Sequence, residues 1–323
     1  MEYVTFGRTG LKVSVAGLGC GGNSRLGQGQ GKSEAESVAI VRKAMDLGVN
    51  LLDTAAAYGT EGIVGMAIKG VPRDQVVVAT KATIRDGKEM CNAEQIVASL
   101  DRSLGLLQTD YIDVFQLHAV PPARYDRVMA ELVPALLREQ EKGKFRHLGI
   151  TETSPNDHYH ETMKRVAKDL CWEVVMLGFN MMHQNARQLV FPDTIANDTG
   201  TLLMFVVRNI FSQPDYLRNT VKELVAAGEL PAEMAEQENP LGFLVHEGGA
   251  SSLTDAAYRF VRHEPGVHVV LFGTGNPAHV ESNIASILKP PLPKADLDKL
   301  TKMFGHLVGV GLDLPDKSPQ RKQ

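Results

Sequence analysis

The chain has 323 residues, of which 43% are hydrophobic and 22% charged, a composition typical of a globular protein with a large core. Its formal net charge of -4 argues against a nucleic-acid partner, which normally requires a basic face. No run of about 18 apolar residues occurs, so the sequence predicts no membrane span.

The cysteine content and the N-terminal sequence indicate the compartment. Only three cysteines occur, with no C-x-x-C spacing, which is typical of reduced thiols. The first residues, MEYVTFGRTG, lack the basic and apolar regions of a signal peptide. Together these features predict a cytoplasmic protein.

Short β-rich segments alternate with helical segments along the chain. A hairpin is predicted first, with strands in YVTFG and LKVSV joined by a turn at RTG. Helical periodicity follows in stretches such as SEAESVAIVRKAMDLG and NAEQIVASLDRSLGLL. Eight strand candidates share a near-continuous apolar character: VAGLGC, VNLLD, QVVVATK, YIDVFQLH, FRHLGIT, EVVMLGFN, TLLMFVV and VHVVLFG.

This alternation predicts an α/β fold, a (β/α)8 TIM barrel in which residues 1–323 form a single domain. The longest excursion, from about Arg208 to Glu247, follows the seventh strand and contains the helical segment LRNTVKELVAAG. Since function in a barrel lies on the loops after the strands, this long loop is predicted to be a lid. Residues from about 310 to 323 are predicted to form a flexible tail.

Three titratable residues end three consecutive strands of the predicted barrel. Asp53 ends the second strand, Lys81 the third and His118 the fourth, and Tyr58 follows Asp53 by five residues. Each residue alone has an ordinary explanation, as a helix cap, a solvated strand end or a rim histidine. Because all of them fall at equivalent positions, we expect them to converge on the barrel mouth.

The four residues together have the chemistry of a proton-transfer site. An ammonium lowers the pKa of a neighbouring phenol, so Lys81 is expected to lower that of Tyr58. Lys81, if buried, needs a carboxylate such as Asp53 to keep its charge. His118 can hydrogen-bond a carbonyl oxygen. The set contains no nucleophile pair and no metal cage, so it requires an external reductant, with Tyr58 as general acid.

On these motifs the chain resembles the aldo-keto reductase superfamily over nearly its whole length. The resemblance is carried by GRTGLKVSVAGLG, LLDTAAAYGTEGIVG, ATKA, YIDVFQLH, LGIT and FGTGNPAHVESN. It implies a barrel that binds NADP(H), or less often NAD(H), and reduces an aldehyde or ketone or oxidises the alcohol. It further implies that Tyr58 donates the proton, Lys81 and Asp53 lower its pKa, and His118 orients the substrate. Asp53 would also approach the nicotinamide ribose.

The resemblance also implies cofactor positions, several of which depart from the family pattern. After the fifth strand, Thr151 can still hydrogen-bond the carboxamide, whereas Glu152 replaces a neutral amide. Glu152 is either a charge at the cofactor or a solvated carboxylate that points away. The usual glutamine of the sixth strand is Met176, and the usual stacking aromatic falls near Val206, so no ring is expected there. Arg208 could meet the pyrophosphate or pair on the surface.

The last motif, GTGNPAHVESN, predicts a phosphate site at a helix N-terminus. Gly273, Thr274 and Gly275 would offer it backbone amides, and Asn283 matches the asparagine that contacts adenine in the family. His279 stands where many members carry an arginine for the 2′-phosphate, and histidine is a weaker cation. NADP(H) is therefore expected as the cofactor, with NAD(H) as the alternative.

Two further patterns are given structural explanations. GLGCGG, from Gly17 to Gly22, satisfies G-x-G-x-x-G, but a glycine-rich loop follows it rather than a helix. We interpret it as a rim after the first strand that brings Cys20 near the nicotinamide. The pair His158 and His160 follows SPND, so we place it on an outer helix without a metal role, and no metal site is predicted.

Two functions remain open on the sequence. The intact set of aspartate, tyrosine, lysine and histidine favours an oxidoreductase acting on a small carbonyl or alcohol. The altered carboxamide contacts motivate the alternative, a cofactor-binding regulatory or scaffold protein with little turnover. The substrate, the physiological direction and the oligomeric state are left open.

Overall fold

Twelve strands occur in residues 1–87 and 89–312, the part of the chain that the computed structural model describes. In chain order they are β1 (Tyr3–Thr5), β2 (Lys12–Ser14), β3 (Ala16–Gly19), β4 (Leu51–Asp53), β5 (Val77–Thr83), β6 (Arg85–Asp86), β7 (Glu89–Met90), β8 (Ile112–Val120), β9 (Phe145–Glu152), β10 (Val174–Gly178), β11 (Gly200–Met204) and β12 (Val269–Phe272). Eight of them, β3, β4, β5 and β8 to β12, form a closed parallel barrel. They coincide with the eight predicted strands, so the (β/α)8 barrel is confirmed.

Helices surround this barrel and connect its strands. In chain order they are α1 (Glu34–Asp46), α2 (Glu61–Ile68), α3 (Ala93–Leu107), α4 (Tyr125–Arg127), α5 (Val133–Glu141), α6 (Glu161–Val166), α7 (Ala186–Leu189), α8 (Phe191–Ala196), α9 (Arg208–Ser212), α10 (Pro214–Ala226), α11 (Leu253–Arg262), α12 (Pro277–Ile287) and α13 (Lys294–Phe304). Ser33 and Glu36 form a capping box that begins α1. Across residues 1–87 and 89–312, no helix combines the length and the apolar character that a membrane crossing requires.

The hairpin of β1 and β2 closes the N-terminal end of the barrel. The strands pair antiparallel, as predicted. Phe6 and Val13 are fully buried and join the apolar cluster inside the barrel, whose strand residues include Leu51, Val77, Val114, Val174, Leu202 and Val269. Because this end is plugged, ligands have to approach the barrel from the C-terminal ends of its strands.

The connection from β11 to β12 is the longest in the barrel and contains α9, α10 and α11. The predicted helical segment LRNTVKELVAAG lies largely in α10. The predicted tail, 310–323, falls mostly outside the described residues, which end at Leu312. Its first residues are held: the amide of Asn180 donates to the Val310 carbonyl at 3.1 Å, and Leu312 is buried.

Candidate active site

Three neighbouring strands bring charged and polar side chains to the C-terminal end of the barrel. Asp53 lies at the end of β4, and Lys81 on β5 is in register with Gln116 on β8. Alternate residues of a strand face the interior, so His118, two residues beyond Gln116, follows it on the same face. The strand ends therefore bring together the residues that the sequence predicted, and they add Gln116.

A buried ion pair lies at the centre of this group. The ammonium of Lys81 is 2.7 Å from both carboxylate oxygens of Asp53 and donates to the Thr54 carbonyl at 2.8 Å. Three N–H groups thus meet three acceptors. Burial opposes the charge on Lys81, but the Asp53 carboxylate outweighs it and holds the pKa of Lys81 above its ordinary value. The amide of Gln116 donates a long bond of 3.4 Å to Asp53.

The phenol of Tyr58 lies above this ion pair. Its oxygen is 3.4 Å from Nε2 of His118, and the two rings meet edge to face with centroids 5.5 Å apart. The Lys81 ammonium is 5.0 Å from the centre of the Tyr58 ring. A Cβ atom at Gly21 would lie 2.5 Å from the Tyr58 ring, so the chain after β3 can approach this ring so closely only because residue 21 is glycine. Cys20 beside it is fully buried, and its N–H donates to the Asp53 carbonyl at 2.8 Å.

The electrostatics of the site keep the Tyr58 phenol and the His118 imidazole neutral. Burial raises the pKa of the Tyr58 phenol above its ordinary value, and the positive charge of Lys81 offsets this only in part. Lys81 lowers the pKa of Tyr58, as expected, whereas the Asp53 carboxylate raises it instead of lowering it. The net direction is upward, because desolvation of the phenolate exceeds the attraction of the ammonium. Burial, followed by repulsion from Lys81, lowers the pKa of His118 to about 3. The phenol holds its proton, and the imidazole is uncharged.

Thr151 lies on the next strand, directly beside His118. The pairing of β8 with β9 shifts between Leu117 and Val120, and Ala119 takes a left-handed φ of 54° there. The Ala119 N–H donates to the Thr151 hydroxyl oxygen at 2.7 Å. No described residue accepts the hydrogen of that hydroxyl, so the hydrogen can be donated to a ligand carbonyl at the mouth.

Comparison with known proteins identifies the family. Residues 17–304 match the model of the Aldo/keto reductase family. The aldo-keto reductase YhdN of Bacillus subtilis (strain 168) is 31% identical over 309 residues, which cover 87% of each chain. The chain belongs to the aldo/keto reductase family.

Two further likenesses concern part of the sequence and the fold. L-galactose dehydrogenase of Arabidopsis thaliana is 38% identical over 173 residues, 51% of this chain and 53% of that protein. The holo form of aldo-keto reductase AKR11C1 from Bacillus halodurans has the same fold, with a TM-score of 0.72, 23% identity and all of both chains covered. As an aldo/keto reductase, the protein is an NAD(P)-dependent oxidoreductase that acts on carbonyls.

In this aldo/keto reductase, Glu152 matches neither expected position. Because it follows Thr151 on β9, its side chain faces the outer layer of the barrel, where it is fully buried. His160 is also fully buried and donates to Glu152 at 2.7 Å. It is the N-cap residue of α6, so it lies at the start of an outer helix, as expected. Among residues 1–87 and 89–312, no group of three histidine, cysteine or acidic side chains could hold a metal ion.

Met176 and Val206 are the two apolar residues expected at the nicotinamide end of the cofactor. Met176 is in register with Thr151 and belongs to the apolar cluster inside the barrel. Val206 is only 2% exposed and packs in the outer core, which corrects its expected place at the mouth. Phe205, the residue before it, is half-buried, and the guanidinium of Arg208 lies 4.8 Å from the centre of its ring.

The predicted phosphate loop joins β12 to α12. Thr274 accepts from the Asn276 N–H at 3.0 Å, and Asn276 in turn caps α12. A Cβ atom at Gly275 would lie 2.6 Å from the Gly27 Cα atom, and one at Gly273 would lie 3.1 Å from the Gly19 carbonyl oxygen. The two glycines thus let the rim after β3 pack onto the loop. His279 is exposed on α12 and Asn283 is half-exposed one turn later.

Proposed function

We propose that the protein transfers hydride between a nicotinamide cofactor and a small carbonyl or alcohol substrate, with Tyr58 as general acid and base. One observation carries this proposal: a protonated phenol lies 3.4 Å from a neutral imidazole, His118, above the buried pair of Lys81 and Asp53. A donor of high pKa is suited to an oxygen that becomes an alkoxide, because both groups bind a proton strongly.

The side chains divide the work of carbonyl reduction. The reduced nicotinamide supplies the hydride when it is bound. Tyr58 gives its proton to the carbonyl oxygen as negative charge develops, and the fixed charge of Lys81 stabilises the phenolate that remains. Asp53 keeps Lys81 protonated. His118, with a hydrogen on Nε2, donates to the same oxygen and directs the carbonyl carbon toward the cofactor.

The strand ends fit a nicotinamide cofactor in an extended pose. The available hydroxyl hydrogen of Thr151 suits the carboxamide oxygen, with Met176 beneath it and the Phe205 ring, supported by Val206, as an apolar face. The N-terminus of α12, with Gly273, Thr274 and Gly275, suits a phosphate group. Further contacts are proposed for four side chains, namely Asp53 with the nicotinamide ribose, Arg208 with the pyrophosphate, Asn283 with adenine and His279 with a 2′-phosphate. NADP(H) is the proposed cofactor, with NAD(H) as the alternative.

The substrate is proposed to be a small carbonyl compound or its alcohol. The relatives' names span L-galactose dehydrogenase and, in Aspergillus parasiticus, versiconal hemiacetal acetate reductase. The scaffold alternative depended partly on Glu152 as a charge at the cofactor. Since Glu152 is directed away from the mouth, that argument for low turnover is removed.

Replacement of Tyr58 by phenylalanine tests the proposed chemistry. Loss of the proton donor is expected to lower kcat by about 10²–10⁴-fold, whereas the cofactor dissociation constant stays near that of the wild type. Turnover is followed by nicotinamide absorbance with a panel of aldehydes and ketones, and binding by fluorescence titration with NADPH and NADH.

Tyr111→Phe is the matched control. Tyr111 directly precedes β8, at the opposite end of the barrel from the mouth, and its ring lies between the guanidinium groups of Arg73 and Arg146. Its phenol makes no contact with the site, so both kcat and cofactor affinity are expected to be unchanged. A Tyr58→Phe enzyme with near-normal turnover would exclude Tyr58 as the acid.

A further inference from the structure

A buried polar cluster lies beside the mouth and takes no part in the chemistry proposed above. It comprises Glu152 at the end of β9, His160 before α6, and His183 and Asn185 after β10. The side chains of Glu152, His160 and His183 are fully or almost fully buried. Four polar groups in one buried cluster require an explanation, because desolvation of such groups is costly unless they bind one another.

Glu152 ties the ends of two strands together. Its Oε1 atom accepts from the backbone N–H of Gly178 at 2.8 Å and from the Ser154 hydroxyl at 2.6 Å, and its Oε2 atom accepts from His160 at 2.7 Å. Gly178 is the last residue of β10, whose backbone pairing with β9 ends at Met176 and Thr151. The side chain of Glu152 therefore extends the connection between the strands beyond the last backbone pair.

The hydrogen-bond geometry makes His160 a cation. The Asn185 amide nitrogen donates to the His158 carbonyl at 2.7 Å, which directs its oxygen toward Nε2 of His160 at 3.0 Å. Nε2 must then carry a hydrogen, and so must Nδ1, which faces the Glu152 carboxylate. Burial opposes this charge, but Glu152 outweighs it and raises the pKa of His160. The cluster thus contains a buried imidazolium–carboxylate pair.

His183 connects the same cluster to the end of the described chain. Its ring lies 5.1 Å from that of His160, and its Nδ1 atom accepts from the Gly309 N–H at 3.0 Å. An accepting nitrogen carries no hydrogen, so His183 is neutral. Burial, followed by repulsion from His160, lowers the pKa of His183 to about 3. Asp157 and His158 are the other titratable groups near the pair.

We propose that Glu152 and His160 are positioning residues, whose buried ion pair fixes the backbone of Thr151 so that its hydroxyl meets the nicotinamide carboxamide. The inference rests on the proposed cofactor role of Thr151. Glu152 adjoins Thr151 and faces the opposite side of the same strand, so its three hydrogen bonds hold the strand from outside. Ala119 holds the Thr151 hydroxyl from inside at 2.7 Å. Neither Glu152 nor His160 contacts the reacting atoms.

Glu152→Gln tests the positioning directly. The substitution keeps the shape of the side chain and an oxygen for Gly178, but it removes the charge that His160 requires. We expect the dissociation constant of the preferred nicotinamide cofactor to rise about tenfold, with a smaller change in kcat at saturating cofactor. The dissociation constant of ADP-ribose, or its 2′-phosphate if NADPH is preferred, is expected to stay within about twofold, since it lacks the nicotinamide.

Glu173→Gln is the matched control. Glu173 directly precedes β10 and forms a similar pair with His147 near the start of β9, the strand that Glu152 ends. Its carboxylate lies 2.7 Å from Nδ1 of His147 and accepts from the Leu148 N–H at 3.3 Å. Both variants lose an imidazole–carboxylate contact and some thermal stability. Only Glu152→Gln is expected to change the ratio of the two dissociation constants; an equal change in Glu173→Gln would overturn the inference as general loosening.

His160→Asn provides a second route that does not depend on Glu152→Gln folding. Asparagine tolerates the left-handed backbone at this position, where φ is 55°. If the two residues act as one pair, the double variant weakens cofactor binding no more than either single variant. Additive losses, or wild-type binding in both single variants, would overturn the inference. A wild-type enzyme that binds neither NADPH nor NADH would instead refute the proposed function.

Discussion

The contact between Gly21 and Tyr58 allows the position of the phenol to be altered without changing its chemistry. In Gly21→Ala, the added Cβ atom would lie 2.5 Å from Cε2 and 2.7 Å from two other atoms of the Tyr58 ring. The backbone of Gly21 is not left-handed, so alanine introduces no backbone strain there. The collision with the ring is the direct consequence of the substitution.

The size of the effect follows from the distances. Ordinary van der Waals contact begins at 3.4 Å, so the ring and the rim must separate by about 0.9 Å. His118 and Lys81 border the ring on its other sides, so a displaced ring changes the 3.4 Å contact between the phenol and His118. A misplacement of about 1 Å at a reacting group can lower the rate about 10²-fold. Crowding of this kind also costs about 1–3 kcal/mol of stability.

The assay compares Gly21→Ala with Gly62→Ala, both as steady-state rates of carbonyl reduction and as melting temperatures. Gly62 lies in α2, four residues beyond Tyr58, and a Cβ atom there would meet nothing within 4 Å. We expect kcat to fall about 10²-fold in Gly21→Ala and to be unchanged in Gly62→Ala. A Gly21→Ala enzyme with wild-type kcat would refute the argument that this glycine sets the position of the phenol.

Two further outcomes follow from the electrostatics of the mouth and of α12. Because the pKa of His118 is about 3 and those of Tyr58 and Lys81 are raised, none of the three changes protonation between about pH 5 and pH 8. These three groups are therefore expected to add no step to the pH profile of kcat over that range, and a one-proton step near pH 6.5 would contradict a neutral His118. His279→Arg places a permanent cation one turn from Asn283, so it is expected to raise affinity for NADPH about tenfold relative to NADH. Fluorescence titration checks this ratio, and an unchanged ratio would remove residue 279 from the 2′-phosphate site.

The barrel and the grouping of polar residues at its mouth could be predicted from the sequence because both depend on regular patterns. Continuous apolar runs mark strands that are buried on both faces, and each run ended in the polar residue that reached the mouth. The partnership of Lys81 with Asp53 followed from charge alone, since a buried ammonium requires a carboxylate. The pKa of Tyr58 did not follow, because its direction depends on how far desolvation exceeds one nearby charge.

The remaining site residues depend on local backbone geometry, which has no periodic pattern. Phe205, directly after β11, has a φ of 62°, so strand alternation does not predict the directions of the side chains that follow this strand. Glu152 meets His160 across a turn with left-handed backbone at a histidine, a conformation that the sequence does not signal. Gln116 could have been found, because it precedes His118 by two residues and therefore shares its face of β8.

The three hydrogen bonds of Lys81 have a consequence for how the site responds to charge. With every N–H group bound to Asp53 or Thr54, the ammonium is immobilised before any ligand arrives. Its electric field at the phenol is therefore constant, and no dipole has to reorient while the oxyanion forms. The cost of orienting this charge is met once, when the protein folds, and does not recur in each turnover. Water dipoles, in contrast, would have to reorient each time the oxyanion forms.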